Sequence, residues 1–260
     1  MTMRALIVTC LLLAAVPAAA DLTLTASNSG KGLAALADGE TVTYFKGVRM
    51  RSDWQHKNKS FSTLFDLDAR RMIMLDHRKK TAEIMTLAEL GEAIAPVDKE
   101  GVTVEFTELD DSREIAGRTC KHFRSEIRIP DAGVEGGPTL DMTMGGDMWI
   151  AAETTGEEDY RNFYLAAAER GIFTSNPDVV EAQPGQARGW ALWYREMANA
   201  GVPCETETSF RYEGGGFMAK MLSKVGNVTI KSTVQEVSDA PIPDSTFEVP
   251  AEYEVKDETR

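Results

Sequence analysis

Alternation of apolar and polar residues with a period of two recurs along most of the chain and limits its fold more than any other feature. The runs LTLTAS (22–27), ETVTYFKGVRMRSDW (40–54, broken at Gly47), VTVEFTEL (102–109) and TCKHFRSEIRI (119–129) all show it. A two-residue period sends successive side chains to opposite faces, so these runs read as half-buried strands. Within 48–54, Val48, Met50 and Trp54 share one face and Arg49, Arg51 and Asp53 the other, as in a sheet with one wet side. FSTLFDL (61–67), RMIMLDH (71–77) and TAEIMTL (81–87) follow with short polar connections that favour an antiparallel meander. Further strand signals lie at MTMGGDMWIAAE (142–153), PCETETSFRYE (203–213), FMAKML (217–222) and NVTIKSTVQEVS (227–238). The pattern predicts roughly nine to eleven strands.

The period changes in a few places. Residues 31–38 read as a short helix or turn, and the spacing Thr86-x-x-Glu89 predicts a short helix over 87–94 stopped by Pro96. A second capping box, Thr155-x-x-Glu158, opens a helix carrying Tyr160, Phe163, Tyr164, Ala167 and Ala168 and ending at Gly171. Residues 176–188 read as loop. Residues 189–200 then set Trp190, Trp193, Tyr194 and Met197 on one side of another helix. A charged turn is expected around 110–117, and DAPIPDSTFEVP (239–250) reads as proline-pinned coil.

The first twenty residues read as an address. Arg4 is followed by an apolar stretch over 5–16, then Pro17 and Ala18-x-Ala20. The stretch is well short of the roughly 20 residues needed to span a bilayer, so 1–20 is expected to be a Sec-type signal peptide cleaved before Asp21. Thr9 before Cys10 makes a poor lipid-attachment site. The mature chain then keeps two cysteines, Cys120 and Cys204, in an oxidising compartment where a lone pair joins, so a disulfide is predicted; two separate buried thiols are the alternative. Residues 21–260 show no linker-rich boundary, repeat or low-complexity tract, so one mainly β (α+β) domain is expected there, in the periplasm and not membrane-spanning.

Chemistry is scarce. With 28 Lys and Arg against 41 Asp and Glu, the chain carries a net charge of -13 and offers no surface for neutralising nucleic-acid phosphates. The spacings of a nucleophile elbow, a zincin, a P-loop and a dinucleotide fingerprint are all missing. The three histidines, His56, His77 and His122, are scattered and read as surface or rim residues. No catalytic residue, metal ligand or cofactor is assigned.

Apolar, adaptable side chains are more informative. Twelve methionines is high for 260 residues, and Met72, Met74, Met85, Met142, Met144, Met148, Met218 and Met221 fall in or near strand segments. Unbranched Met fills variable space, which suits core filling and also a pocket for variable apolar guests. Aromatic helices inserted between the strands of a long meander would lie over one sheet face as a lid. The ligand-contact candidates are Met72, Met74, Trp149, Trp190, Trp193, Phe217 and Met218.

The runs YFKGVRMRSDW (44–54), LFDLDARRMIMLDHRKKTAEIMTLAEL (64–90), EIAGRTCKHFR (114–124), MWIA (148–151) and DAPIPDSTFEVPAEYEV (239–255) together resemble an uncharacterised family of secreted bacterial domains. That family is similar in pattern to the LolA and LolB lipoprotein-carrier superfamily. The resemblance implies an open, curved antiparallel half-barrel with helices covering its concave face, a fold used in the superfamily to hold acyl chains. It assigns no catalytic residue. The expected function is a non-enzymatic binding protein for a lipid, a lipidated protein or another long apolar ligand. Two alternatives stand beside it: an envelope interaction or sensory module whose groove is filled by its own side chains, and a hydrolase without a recognisable motif.

Overall fold

The computed structural model describes residues 21–31, 35, 38–86, 102–130, 140–170, 184–215 and 228–257. The expected leader, the helix at 87–94, the strand at 217–222 and most of 31–38 lie outside the described residues.

Two meanders make one sheet. The first arm is β1 (Leu22–Lys31), β2 (Gly39–Lys46), β3 (Arg49–His56), β4 (Lys59–Asp66), β5 (Arg71–Asp76) and β6 (Thr81–Thr86). The second is β7 (Thr103–Ile115), β8 (Arg118–Ile129), β9 (Leu140–Ala151), β10 (Val202–Gly214) and β11 (Val228–Ser238). β1 pairs antiparallel with β11 and fuses the arms, and β12 (Glu254–Asp257) adds a parallel strand outside β6. The order β12-β6-β5-β4-β3-β2-β1-β11-β10-β9-β8-β7 is open at both ends, and the sheet is curved. Helices α1 (Glu157–Arg170) and α2 (Pro184–Ala200) fill the connection from β9 to β10. The expected architecture, a mainly β curved antiparallel half-barrel with helices on its concave face, is the one observed.

One face of both arms supplies the core. Leu22, Leu24, Phe45, Met72, Phe123, Ile127, Met142, Met144, Met148, Ile150 and Val234 cluster with Tyr160 and Phe163 of α1 and Trp193 and Met197 of α2. α1 touches β1 and β2 while α2 touches β7, β8 and β10, so the sheet wraps around the pair. Local signals hold in outline and shift in detail. The N-terminus of α1 is capped one residue earlier than the sequence suggests: Glu157 Oε2 accepts the Thr154 N–H at 3.1 Å, the reciprocal half of a capping box. α2 begins at Pro184, within the stretch read as loop.

Two further differences concern the strands. β7 does not stop at a charged turn near 110; it takes up extra residues in a bulge between Glu108 and Ser112 and runs on to Ile115. The turn comes at Ala116 and Gly117, both at positive φ, which matches the twist of a two-residue hairpin. The outer face of the first arm is not wet throughout. Leu64, Ile73, Leu75 and Ala82 are buried there against Val249 and Tyr253 of the C-terminal segment. That segment is more than coil: it contributes a 3-10 turn at Asp244–Phe247 and the strand β12.

Candidate functional site

The concave face under the helices is an aromatic cluster. Phe45 of β2 meets Tyr160 edge-on at 5.2 Å between centroids, Phe163 at 5.8 Å and Tyr164 at 5.8 Å. Tyr164 stacks on Tyr194 of α2 at 4.7 Å, and Tyr194 meets Trp193 at 5.0 Å and Trp190 at 6.0 Å. Trp190 reaches Phe210 of β10 at 6.1 Å, so the rings form a chain from β2 across both helices to β10. α2 lies close enough to the sheet that a Cβ on Gly189 would stand 2.5 Å from Ile129 Cδ1, which is why no larger residue fits there without a shift.

Among the described residues polar ties between the helices and the sheet are few, and one is the Asp159 carboxylate of α1, which accepts from the Gly47 N–H. Trp193 Nε1 donates to Ser125 Oγ at 3.2 Å, and the Arg170 guanidinium donates to the Leu67 carbonyl and to Asp68. Burial pushes the Tyr194 hydroxyl up to about 12 and raises Tyr160 and Tyr164 well above the ordinary tyrosine value, so all three stay neutral at physiological pH. The Tyr160 hydroxyl is buried with no hydrogen-bond partner, an orphan polar atom inside an apolar cluster.

The residues expected from sequence to contact a ligand do not all meet. Met72 is fully buried in this cluster, Trp193 is nearly so, and Met74 and Trp190 pack against it partly exposed. Phe217 and Met218 lie outside the described residues. Trp149 is on the other side of the sheet and has to be removed from the concave set. Met148 and Ile150 take the inner face of β9, so the period of two turns Trp149 outward. There it stacks on His122 at 4.3 Å, carries the Arg113 guanidinium 4.0 Å from its ring centre, and packs beside the Cys120–Cys204 disulfide. The indole is thereby a structural part of the outer face.

Sequence reasoning missed a polar cluster on the outer face of the first arm. Ser62 Oγ lies 2.5 Å from Asp53 Oδ1 and 2.5 Å from His77 Nε2. The three residue types are those of a hydrolytic triad, but the wiring differs: the carboxylate holds the serine, and His77 Nδ1 faces the Tyr253 hydroxyl at 2.6 Å. Ser62 is also 1% exposed, and its proton is committed to Asp53, so it is a structural hydroxyl and no nucleophile. Only the strand register, which sets Asp53 opposite Ser62 and Ser62 opposite Leu75, brings this cluster together. Among the described residues no group of three or more His, Cys, Asp or Glu side chains is placed to hold a metal ion, and no helix is long and apolar enough to cross a membrane.

No protein-family model matches the chain, and no curated protein matches it. Among solved structures it is similar to an uncharacterised conserved protein from Thermus thermophilus, with 7% identity and a TM-score of 0.40 over 92% of this chain and 91% of that one. It is also similar to the Mycobacterium tuberculosis lipoprotein LppX, with 9% identity and a TM-score of 0.35 over 86% of this chain and 88% of that one. Likeness at this level assigns neither a family nor a ligand.

Proposed function

We propose that this chain is a non-enzymatic binding protein of the cell envelope, with 1–20 removed as a leader, 21–260 folding as one domain, and a lipid tail or other long apolar ligand held on the concave face of its sheet. The observation that carries this reading is the chemistry of the helix cover. Among the described residues, α1 sits on the sheet mainly through rings packed on Phe45 and α2 through Trp190 on Phe210, with few polar ties. An acyl chain offers the same apolar contact, so it can take the place of part of that packing at little cost in transfer free energy. The methionines Met72, Met142, Met144 and Met148 line the same face and adapt to a changed occupant. The unpartnered Tyr160 hydroxyl gains an acceptor when an ester or acid carbonyl enters. The Cys120–Cys204 disulfide supports an oxidising compartment outside the cytoplasm.

A second reading has its own observation. Phe45, Tyr160 and Phe163 are almost completely buried against one another, which favours an envelope interaction module whose groove is permanently filled. Native mass spectrometry on protein purified from its own envelope separates the two: co-purified lipid is the expected result, and a protein partner with no lipid supports the filled module. A titration with a dansylated fatty acid tests placement. Trp193→Leu is expected to weaken binding with far-ultraviolet circular dichroism retained, whereas Trp149→Ala is expected to bind as the parent does.

A further inference from the structure

Between the end of β9 and the start of α1, residues 151–155 border a cleft of about 460 Å³ at the rim of the sheet, with Arg118 at the start of β8 and Val237 and Asp239 at the end of β11 completing its walls. All three guanidinium nitrogens of Arg118 are buried and none has a hydrogen-bond partner. The Thr154 hydroxyl oxygen on the same cleft is buried and unpartnered too. Burial lowers the Arg118 pKa, but a guanidinium keeps its proton inside proteins, so the group is a partly desolvated cation with no hydrogen-bonded anion. Arginine ordinarily does the reverse, laying its stem on the protein and its head in water.

Two carboxylates share the cleft. Glu153 and Asp239 are both exposed, and neither accepts a hydrogen bond from Arg118. Glu153 is held at φ +62°, a left-handed conformation that costs a non-glycine residue energy and tends to persist where a site needs it. A bare anion would meet Arg118 but also the field of Glu153, Asp239 and the acidic first turn of α1, Glu157, Glu158 and Asp159. A bare cation would meet the guanidinium. A ligand with both charges satisfies both walls. Val237 lines the cleft and also packs against the main core, so the cleft lies at the edge of that core.

We propose that the rim cleft is a binding site for a zwitterion of the phosphoethanolamine type, its oxyanion on the Arg118 guanidinium and Thr154 hydroxyl and its ammonium on Glu153 and Asp239. The guanidinium turns out of its buried position to meet the oxyanion, exchanging an unpaired buried charge for charge-assisted hydrogen bonds. The site itself stands on the cleft; its use for the headgroup of a phospholipid rests on the acyl-chain reading above.

Soluble phosphoethanolamine carries the charges without a tail, so it tests the site apart from the groove. Titrated into the mature chain, it is expected to give saturable shifts of the amide resonances of Arg118, Glu153 and Thr154. Inorganic phosphate alone and ethanolamine alone are each expected to bind about tenfold more weakly, as are the Arg118→Gln and Asp239→Asn variants toward the zwitterion. Arg118→Gln removes an unpaired buried charge and is expected to fold, which its circular dichroism checks; the wild-type titration needs no variant at all. Absence of any shift, or phosphate alone binding as tightly as phosphoethanolamine, overturns the proposal. Incubation with vesicles of phosphatidylethanolamine or of phosphatidylglycerol then distinguishes the sources. Selective transfer of phosphatidylethanolamine to the protein makes the zwitterion a lipid headgroup. Binding of the soluble headgroup with no transfer makes it a free metabolite, upholds the site and removes its use for a phospholipid headgroup.

Discussion

The His77 Nδ1 atom lies 2.6 Å from the Tyr253 hydroxyl, a contact that ties the end of β5 to a residue 176 positions later. The surrounding bonds fix who donates. Asp53 requires the Ser62 proton, so His77 donates from Nε2 to Ser62 Oγ and accepts from Tyr253 at Nδ1. Arg51 completes the clasp, donating to Asp53, to Ser62 and to the Thr246 carbonyl. The Glu254 N–H donates to the Lys80 carbonyl just beyond, where β12 begins to pair with β6. Tyr253→Phe leaves His77 Nδ1 without a donor and is expected to cost about 1 kcal/mol in urea unfolding. It is also expected to speed amide exchange over 254–257 relative to the rest of the sheet.

Glu205 gives the outer face of the second arm a defined pH response. Burial by itself raises its carboxyl pKa, but hydrogen bonds from Lys231, Arg113 and Thr233 outweigh that and hold it below the usual 4.5. A depressed folded pKa means the stabilisation is present above about pH 4.5 and is lost as pH falls through the folded value. Thermal melts between pH 6 and pH 3 are expected to show Glu205→Gln with a lower Tm at neutral pH and a shallower acid limb than the parent. Equal acid limbs would exclude Glu205 as the titrating group.

Cys120 and Cys204 join the start of β8 to the start of β10 across 84 residues of sequence. Closing a loop of that length restricts the unfolded chain by about 4.5 kcal/mol in the entropy model. The double variant Cys120→Ala/Cys204→Ala, or the reduced parent, is expected to unfold at markedly lower denaturant. The same span contains α1 and α2, so the loss is expected to show early as proteolytic cleavage at the helices.

Phe45 is 1% exposed and touches three rings of α1. Phe45→Ala is expected to destabilise the chain by about 3–4 kcal/mol. If the cover is displaceable, the same variant raises the affinity for a dansylated fatty acid, because less ring packing has to be given up. A permanently filled groove would lose stability with no gain in binding.

Much of the sheet was legible as sequence because a period of two is a local property: each strand declares its faces wherever one side is apolar, as in Phe123, Ile127 and Ile129 of β8. The helix faces declared themselves likewise, and the same alternation turns Trp149 outward once Met148 and Ile150 are set inward. The disulfide followed from compartment and count. β12 gave no such signal, since four residues after a proline-rich stretch acquire strand geometry only when β6 offers its unpaired edge. Asp53, Ser62, His77 and Tyr253 are likewise unremarkable apart and meaningful only in register.

Periodicity, composition and the cysteine pair therefore sufficed to establish a mainly β chain with two aromatic helices and one disulfide. Tertiary structure alone decided that Arg118 and Thr154 would share a rim with Glu153 and Asp239, and that the C-terminal segment would cover the outer face of the first arm. The physical reason is range. Alternation and capping act over a few residues, whereas buried charges, clasps and edge strands depend on which distant segments the closing of β1 on β11 brings side by side.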